Sequence, residues 1–400
     1  MLVTENSELI TGFAARGDGL TASGRFVSGA VPGDYVTDLA DIIPGPNRQD
    51  PPCRHFGRCG GCQLQHVNDA TYAGFVTDRI VSALKTQKVA LPEMRTPHLS
   101  PAFARRRVAL RALKAGKHIQ LGFAEEASHK LIDLAECPVM APELFAIIAP
   151  LKRLLMLILK DRRPADIRMT VADQGIDLLI AGGEAEGLAA IEALSDFARV
   201  HTLARLSLDE GYGPQVQWEP EPVTITFGRV SVALPEAAFL QATQDGEAAL
   251  VAAVAEAVGG AAEAADLFAG LGTFTFALPG KVHAVEGARD EILALQHAAN
   301  RSLRAVSVEH RDLFRRPIPA ADLARFDAVV IDPPRAGAKE QVEELAASRV
   351  GIIASISCNP ATFARDARIL VGGGYKLDWI QPVGQFRWSN HVELAAQFSR

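Results

Sequence analysis

From about residue 236 onward, the sequence alternates short apolar segments with helical segments. The strand-like segments are 262–268, 281–287, 326–334, 350–357, 375–383 and 391–398, and the helix-like segments include 247–258 and 292–303. Short apolar strands that alternate with helices predict a doubly wound α/β sheet. In such a sheet ligands bind outside the carboxyl ends of the strands. The residues that directly follow these strands are therefore the first candidates for a functional site.

The residues before this region have a different pattern. Residues 1–45 are rich in glycine and predict a small antiparallel β unit. Residues 70–90 predict a helix, 100–235 predict short strands with two helices, and 223–234 predict a hairpin with Gly228 at its turn. We therefore expect domains at 1–45, 46–235 and 236–400.

Composition excludes some classes of protein. The net charge of −6 argues against a protein that coats nucleic acid by bulk charge. No run of about 18 uncharged apolar residues is present, so we expect no membrane span. The first residues lack the basic and apolar regions of a secretory signal, which indicates a cytoplasmic protein. A local basic run at 105–117 is typical of a solvated charged face when taken alone.

A glycine-rich loop follows the first strand of the C-terminal region, in the sequence DLFAGLGTFTF at 266–276, and we expect it to open a helix. Gly270 and Gly272 allow the chain to turn tightly and to approach a ligand. Glu286 ends the next strand and is placed to accept hydrogen bonds from ribose hydroxyls. Asp312 follows the third strand and can reach an adenine amino group. Acidic residues at successive strand ends favour a nucleoside without phosphate, namely S-adenosylmethionine, over a dinucleotide.

Three further residues at strand ends carry the chemistry. Asp332 ends the fourth strand in IDPPRAG, and Cys358 ends the fifth strand in SISCNP. A lone cysteine is usually a small buried apolar residue, but the turn at Asn359 directs this one toward the predicted cleft. Glu393 begins the last strand, where a carboxylate among apolar residues is costly unless it is paired or functional. A nucleophilic thiolate, a methyl donor and a carboxylate base together suit methylation of a pyrimidine at C5.

The other four cysteines are Cys53, Cys59, Cys62 and Cys137. Four thiols in a cytoplasmic protein indicate a metal site more than disulfides. Tetrahedral zinc is commonly held by four cysteines, and the spacing favours zinc over an iron–sulfur cluster. The Cys-Pro pair at the fourth ligand is familiar in iron–sulfur proteins, so the spacing leaves both metals open.

These motifs resemble the RNA uracil-5-methyltransferases, and especially the branch that methylates bacterial 23S rRNA. The resemblance spans nearly the whole chain, and its specific matches are FLQAT at 239–243, DLFAGLGTF at 266–274, DPPRAG at 332–337, SCNPATFARD at 357–366 and HVE at 391–393. It implies a Rossmann-like class I methyltransferase domain, a mixed α+β central domain with an iron–sulfur site and an N-terminal TRAM-like (OB-like) β-barrel. It also implies that Cys358 is the nucleophile and Glu393 the base.

By the same resemblance, the cofactor is S-adenosylmethionine and the cysteines 53, 59, 62 and 137 hold a [4Fe-4S] cluster. The implied cofactor-binding positions are Gln241, Phe268, Gly270, Gly272, Thr273, Glu286, Asp312 and Asp332. The chain departs from the family pattern at Thr243, Gly384 and Arg387, where the family usually has Asn, Asp and Pro.

The expected substrate is a uridine of 23S rRNA that is flipped out of a loop or single strand, and the expected state is a monomer. In that context the run at 105–117 becomes a candidate contact for the RNA backbone. Four alternatives stay open: a tRNA uracil-5-methyltransferase, an RNA cytosine-5 methyltransferase, an amino methyltransferase, and an iron–sulfur RNA-binding protein without enzymatic activity. The cytosine enzymes usually carry a Pro-Cys pair on the fourth strand, whereas this strand ends in DPPRAG.

Overall fold

The computed structural model describes residues 7–400. The first short strands form an open five-stranded antiparallel sheet, a half-barrel with the order β3-β2-β1-β4-β5. Its strands are β1 (Glu8–Phe13), β2 (Gly19–Thr21), β3 (Phe26–Val27), β4 (Tyr35–Val36) and β5 (Ile42–Ile43). Alternate residues of these strands point inward, so a small apolar core of Ile10, Val27, Ala30 and Val36 forms beneath the sheet. Residues 1–6 of the predicted first unit lie outside the described residues.

A long helix and two short strands follow, namely α1 (Asp69–Thr86), β6 (Glu93–Met94) and β7 (His98–Leu99). Asn68 caps α1, because its side-chain oxygen accepts a hydrogen bond from the Thr71 N–H at 2.9 Å. The helix buries Tyr72, Phe75 and Ile80 on one face. Strands β6 and β7 pair with a strand near the C-terminus, and this segment of the predicted central domain therefore extends the last sheet.

The central region is a six-stranded sheet with the order β13-β12-β11-β10-β8-β9. Its elements are β8 (Arg107–Ala115), β9 (His118–Gly122), α2 (Pro142–Ala146), α3 (Ile148–Ile158), β10 (Pro164–Ala172), β11 (Gly175–Ala181), α4 (Leu188–Val200), β12 (Leu203–Asp209) and β13 (Gln215–Trp218). Helices α3 and α4 pack their apolar residues on one face of this sheet. Strands β8 and β10 alternate buried and exposed residues, as expected for a sheet covered on one side.

A hairpin, β14 (Thr224–Phe227) and β15 (Val230–Ala233), leads into the last region. Gly228 lies in the turn with φ +61°, as the sequence predicts. The elements that follow are α5 (Gln244–Val258), β16 (Glu263–Leu267), β17 (Lys281–Glu286), α6 (Arg289–Arg301), β18 (Val306–His310), α7 (Ala320–Leu323), β19 (Ala328–Ile331), α8 (Lys339–Ala347), β20 (Ile352–Ser357), α9 (Pro360–Gly372), β21 (Lys376–Gly384) and β22 (Glu393–Ser399).

The last sheet has the order β18-β17-β16-β19-β20-β22-β21-β6, with β7 also paired to β21. Strands β16 to β20 run parallel, and β22 runs antiparallel to both neighbours. Helices α5 and α6 cover one face, and α1, α8 and α9 cover the other. Because both faces are covered, β19 is a continuous apolar run, Ala-Val-Val-Ile. The prediction of a doubly wound sheet is confirmed.

The first sheet is open where a β-barrel was expected, and β6 and β7 join the last sheet although they lie in the expected central domain. The structure differs from the sequence interpretation in two further places. Residues 270–277 form consecutive turns rather than the predicted helix after the glycine loop. The region 100–235 contains three helices where two were predicted, because the apolar stretch at 142–158 divides into α2 and α3. Within residues 7–400, no helix is both long enough and apolar enough to cross a bilayer.

Candidate functional site

Strand order brings three predicted site residues to one edge of the last sheet. Asp332 follows β19 and Cys358 follows β20, and these two strands are parallel neighbours. Glu393 begins β22, which runs antiparallel to β20 with Ser357 opposite Leu394. The start of β22 therefore lies beside the end of β20. The topology explains how a carboxylate 35 positions after the cysteine reaches the same edge of the sheet.

Cys358 is half-buried and directly precedes α9. Asn359 caps that helix by accepting a hydrogen bond from the Ala361 N–H at 3.1 Å, and Pro360 occupies the first turn. Burial, with the Glu393 and Asp332 carboxylates, raises the pKa of the Cys358 thiol to about 11 against the opposing charge of the Arg335 guanidinium. The thiol is therefore protonated at neutral pH, and its reactivity depends on the surrounding charges.

Glu393 is buried, with 5% of its surface exposed. Burial raises the pKa of this carboxyl to about 7, against the opposing effects of a Gln385 hydrogen bond and the Arg335 charge. A base whose pKa lies near the working pH is suited to proton abstraction.

Gln385 is a site residue that the sequence analysis missed. It is 2% exposed, and its side chain forms hydrogen bonds in several directions. Its Oε1 accepts from the Ala242 N–H at 3.0 Å, its Nε2 donates to Gln241 Oε1 at 2.7 Å, and its amide also donates to the Glu393 carboxylate. One side chain thus joins the predicted base to a predicted cofactor-binding residue. No sequence signal marks it, because a glutamine becomes informative only when its partners are known.

Further carboxylates lie along the same edge. Burial raises the pKa of Asp332 well above its usual range, and Glu393, Asp266 and Glu286 add to that effect. Asp266 is also buried, its Oδ2 accepts from Thr275 Oγ1, and its Oδ1 has no hydrogen-bond partner. Burial raises the pKa of Asp266 to about 7. A group of carboxylates with an unpartnered oxygen suits a ligand that carries positive charge or hydrogen-bond donors.

The glycine loop adopts backbone angles that favour glycine. Gly270 has φ +54° and Gly272 has φ +95°, and a Cβ at Gly272 would lie 2.7 Å from the Phe276 ring. Phe268 has φ +63°, an uncommon angle for a bulky residue that is typical of functional sites. Thr273 lies half-buried in the turns that follow.

The acidic residues beyond this loop have backbone partners. The Glu286 carboxylate accepts from the Gly270 N–H at 2.9 Å and from the Ala288 N–H at 2.7 Å. Asp312 Oδ1 accepts from the Phe314 N–H at 3.0 Å. Glu286 therefore fixes the loop, and its oxygens keep lone pairs for ribose hydroxyls.

Phe314 is a second residue that the sequence analysis missed. Its ring centroid lies 5.4 Å from that of Phe268, and the side chain is 43% exposed. Two aromatic rings beside Glu286 and Asp312 suit a flat heteroaromatic base such as adenine. The residues present therefore fit a nucleoside cofactor.

The four other cysteines come together from distant parts of the chain. Cys53, Cys59, Cys62 and Cys137 line one small pocket, and none forms a disulfide. Burial raises the pKa of Cys62 to about 12, with further contributions from the other three thiols. Within residues 7–400, no group of three or more His, Cys, Asp or Glu side chains has the geometry to hold a single metal ion. The geometry of these cysteines therefore does not confirm the expectation of a bound metal.

Some arginines of the basic run at 105–117 make structural contacts inside the protein, and others are exposed. Arg106 is buried and forms an ion pair with Glu247, which joins the central region to α5. Arg107 donates to the Leu240 carbonyl, and Arg111 forms an exposed ion pair with Asp166. Thr243, one of the departures from the family pattern, caps α5 by accepting from the Gly246 N–H at 3.1 Å.

The C-terminal part of the chain, residues 228–400, matches the family model described as tRNA (uracil-5-)-methyltransferase. An RNA methyltransferase of Zymomonas mobilis is 50% identical over 389 residues, which covers 97% of this chain and 98% of that protein. The chain belongs to the same RNA methyltransferase family as that protein, and its residues 228–400 match the uracil-5-methyltransferase model of that family. The resemblance stated from the sequence is confirmed.

Two other similar proteins differ in substrate. The 23S rRNA (uracil(1939)-C(5))-methyltransferase RlmD of Aeromonas salmonicida is 28% identical and covers 94% of this chain and 91% of its own length. The Pyrococcus abyssi tRNA (uracil-54, C5)-methyltransferase, solved with S-adenosyl-L-homocysteine, is 22% identical. It has a TM-score of 0.76 and covers 98% of this chain and 100% of its own. At that identity the solved structure establishes the mixed α/β methyltransferase fold.

Proposed function

We propose that this protein transfers a methyl group from S-adenosylmethionine to C5 of a uridine in RNA. The observation that carries the proposal is the position of Cys358 and Glu393 at adjoining ends of antiparallel strands. A nucleophile and a base so placed can act on neighbouring carbons of one ring. S-adenosylmethionine supplies the methyl group as an electrophilic sulfonium, with Gln241, Phe268, Gly270, Gly272, Thr273, Glu286, Asp312 and Asp332 as its proposed binding residues.

The proposed reaction uses covalent catalysis. Cys358 loses its thiol proton to solvent, and the thiolate adds to C6 of the uracil. C5 becomes an enolate carbon that takes the methyl group, while the electron pair of the broken C–S bond stays on the cofactor sulfur as S-adenosylhomocysteine. The Glu393 carboxylate then removes the C5 proton. The electron pair of that C–H bond forms the C5–C6 double bond, and the sulfur leaves C6.

We propose 23S rRNA as the substrate, with a TRAM-like unit at 1–45, a central domain at 46–235 and a methyltransferase domain at 236–400. The match to RlmD over nearly the full length supports this assignment. The name of the family model and the solved structure favour tRNA as the second candidate. We place the monomeric enzyme in the cytoplasm, where both RNAs are found.

We also propose that the four cysteines 53, 59, 62 and 137 hold a [4Fe-4S] cluster. Their convergence on one pocket supports this assignment. Nothing in uracil methylation needs an electron, so the proposed role is structural. The backbone N–H groups of Gln63 and Leu64 both donate to the Trp388 carbonyl at 2.9 Å, which ties the Cys62 segment to the loop before Glu393.

The test of the proposed function is transfer of labelled methyl to undermethylated 23S rRNA and to tRNA, followed by a 5-fluorouridine trap. A base cannot remove fluorine from C5 as it removes the proton, so the sulfur cannot be released and a stable adduct between the RNA and Cys358 is expected. Cys358→Ala should form no adduct and transfer no methyl. Label on cytosine would contradict the reaction, and label on tRNA alone would contradict the proposed substrate.

A further inference from the structure

A group of positively charged side chains lies beside the proposed reaction centre. We call Arg79, Arg105, Arg335 and His391 the arginine cluster. Arg335 Nη1 lies 3.3 Å from His391 Nδ1. The His391 ring lies 5.6 Å from the Phe386 ring, and the Arg105 guanidinium lies 5.4 Å from the same ring. Three loops therefore converge here, and α1 supplies Arg79, whose charge acts on His391.

The electrostatics of the arginine cluster agree with this geometry. Burial lowers the pKa of His391, and Arg335, Arg105 and Arg79 lower it further. Burial also lowers the pKa of Arg79, with a further contribution from Arg335. All three guanidiniums are therefore close enough to act on one imidazole or on each other. Such a concentration of positive charge is unfavourable by itself.

In the part of the chain that the structure describes, none of these three arginines has a carboxylate within ion-pair distance. Their neighbours differ in this respect. Arg106 pairs with Glu247, and Arg387 pairs with Asp69. The Nε of Arg79 is buried and has no hydrogen-bond partner. A buried donor without a partner is costly, so the Nε of Arg79 favours an anionic ligand here.

The arginine cluster is fixed relative to Cys358. The carbonyl oxygen of Arg335 accepts hydrogen bonds from Asn359 Nδ2 at 3.1 Å and from Thr362 Oγ1 at 3.3 Å. Asn359 directly follows Cys358, and Arg335 acts on the charge of both Cys358 and Glu393. A uracil attached through C6 to Cys358 carries its phosphates about one ribose away from the thiol, and the Arg335 charge acts on that thiol.

We propose that the arginine cluster binds a backbone phosphate of the target nucleotide, with Arg79 as the principal hydrogen-bond donor. This inference rests on the proposed function, because it requires an RNA whose uridine reaches Cys358. A guanidinium matches phosphate oxygens in geometry and charge. Binding of the phosphate places the ribose, and therefore the flipped base, over the thiol.

The test compares wild type, Arg79→Met and the control Arg229→Met, which removes an exposed arginine at the β14–β15 turn. The RNA is a synthetic strand that contains the uridine methylated by the wild type. For Arg79→Met we expect about tenfold weaker RNA binding near 0.1 M salt. The magnitude of the slope of log binding constant against log salt concentration should fall by roughly 0.7, the value for one phosphate contact with single-stranded RNA. Arg229→Met should keep the wild-type affinity and slope.

A second arm uses the same RNA with a neutral methylphosphonate on either side of the target uridine. One substitution should weaken binding by the wild type about tenfold and leave binding by Arg79→Met unchanged. Equal losses in both proteins would overturn the inference. So would a variant that loses affinity for S-adenosylmethionine instead of RNA, because the cluster would then hold the carboxylate of the cofactor. If the wild type forms no 5-fluorouridine adduct with any RNA, the proposed function fails independently of this site.

Discussion

Replacing Gln385 with leucine tests whether the structure identifies the group that controls the proposed base. In the native protein the pKa of Glu393 is about 7, raised by burial and held down by the Gln385 hydrogen bond. Removal of that donor destabilises the carboxylate more than the neutral acid, so the pKa of Glu393 must rise. A hydrogen bond to a charged group contributes about 1.5–3 kcal/mol, or about 1–2 pKa units.

The rate effect follows from the populations of the two forms. With a pKa of about 7, half of the Glu393 side chains are ionised at pH 7. With a pKa near 8, about one in eleven is ionised, so proton abstraction at pH 7 slows about fivefold. The acidic limb of the pH–rate profile should move upward by about one unit, and the two rates should converge above pH 9. The methylated covalent intermediate should accumulate, because proton removal follows methyl transfer.

The assay is single-turnover methyl transfer from labelled S-adenosylmethionine between pH 5.5 and pH 9.5, with denaturing gels to count the covalent intermediate. Gln381→Leu is the matched control, since this glutamine lies on β21, the strand that ends just before Gln385, and donates to the Thr96 carbonyl. An unshifted acidic limb in Gln385→Leu, in a protein that still binds S-adenosylmethionine, would refute the reasoning. Loss of rate by the same factor at every pH would show a purely structural role.

Three further predictions follow from burial and charge. Glu393→Gln should increase the free energy of unfolding at pH 8 by about 2–3 kcal/mol and leave it unchanged at pH 4. The reason is that the raised pKa of Glu393 costs stability as the pH rises from the ordinary value of 4.5 through about 7. Urea unfolding at both pH values measures the effect, and equal changes at both would contradict the prediction. The same variant should trap the covalent intermediate. Phe314→Ala should weaken S-adenosylmethionine binding about tenfold without changing RNA affinity, because it removes one ring of the aromatic pair with Phe268. Calorimetry measures both affinities. The control is Phe26→Ala, which removes an exposed phenylalanine of the half-barrel. Arg106→Met should lower the free energy of unfolding by about 3–5 kcal/mol, because Glu247 would remain buried without its partner. Arg111→Met, the control, should lower it by less than about 1 kcal/mol, since the ion pair with Asp166 is exposed.

Much of the fold could be predicted because its signals are local. The alternation of apolar strands and helices after residue 236 reflects a sheet buried on both faces, and each strand carries that pattern by itself. Gly228 and the Asn68 cap are equally local. The pairing of β6 and β7 with β21 could not be predicted, because two-residue strands have no pattern and their partner lies nearly 300 residues away.

The candidate site divides in the same way. Residues at the ends of strands, such as Asp332 and Cys358, could be selected because a doubly wound sheet has one binding edge. Gln385, Phe314 and Arg79 could not be selected from the sequence, because the role of each depends on contacts with residues that are distant in sequence. Gln385 meets Gln241 and Ala242 across more than 140 positions.

By itself the sequence determined that the last region is a doubly wound sheet, the family that the chain resembles and the two residues proposed to react. These features follow from local periodicity and from short motifs, which can be recognised without knowing any tertiary contact. The tertiary structure alone decided that β22 runs beside β20 and that Cys137 shares one pocket with the three cysteines at 53–62. It also brought Arg105 and Arg335 to the Phe386–His391 pair, with no carboxylate of the described residues within ion-pair distance of these two arginines. The physical reason is that hydrogen bonding, burial and charge depend on separations in space, which strand order and register set and which distance along the chain does not reveal.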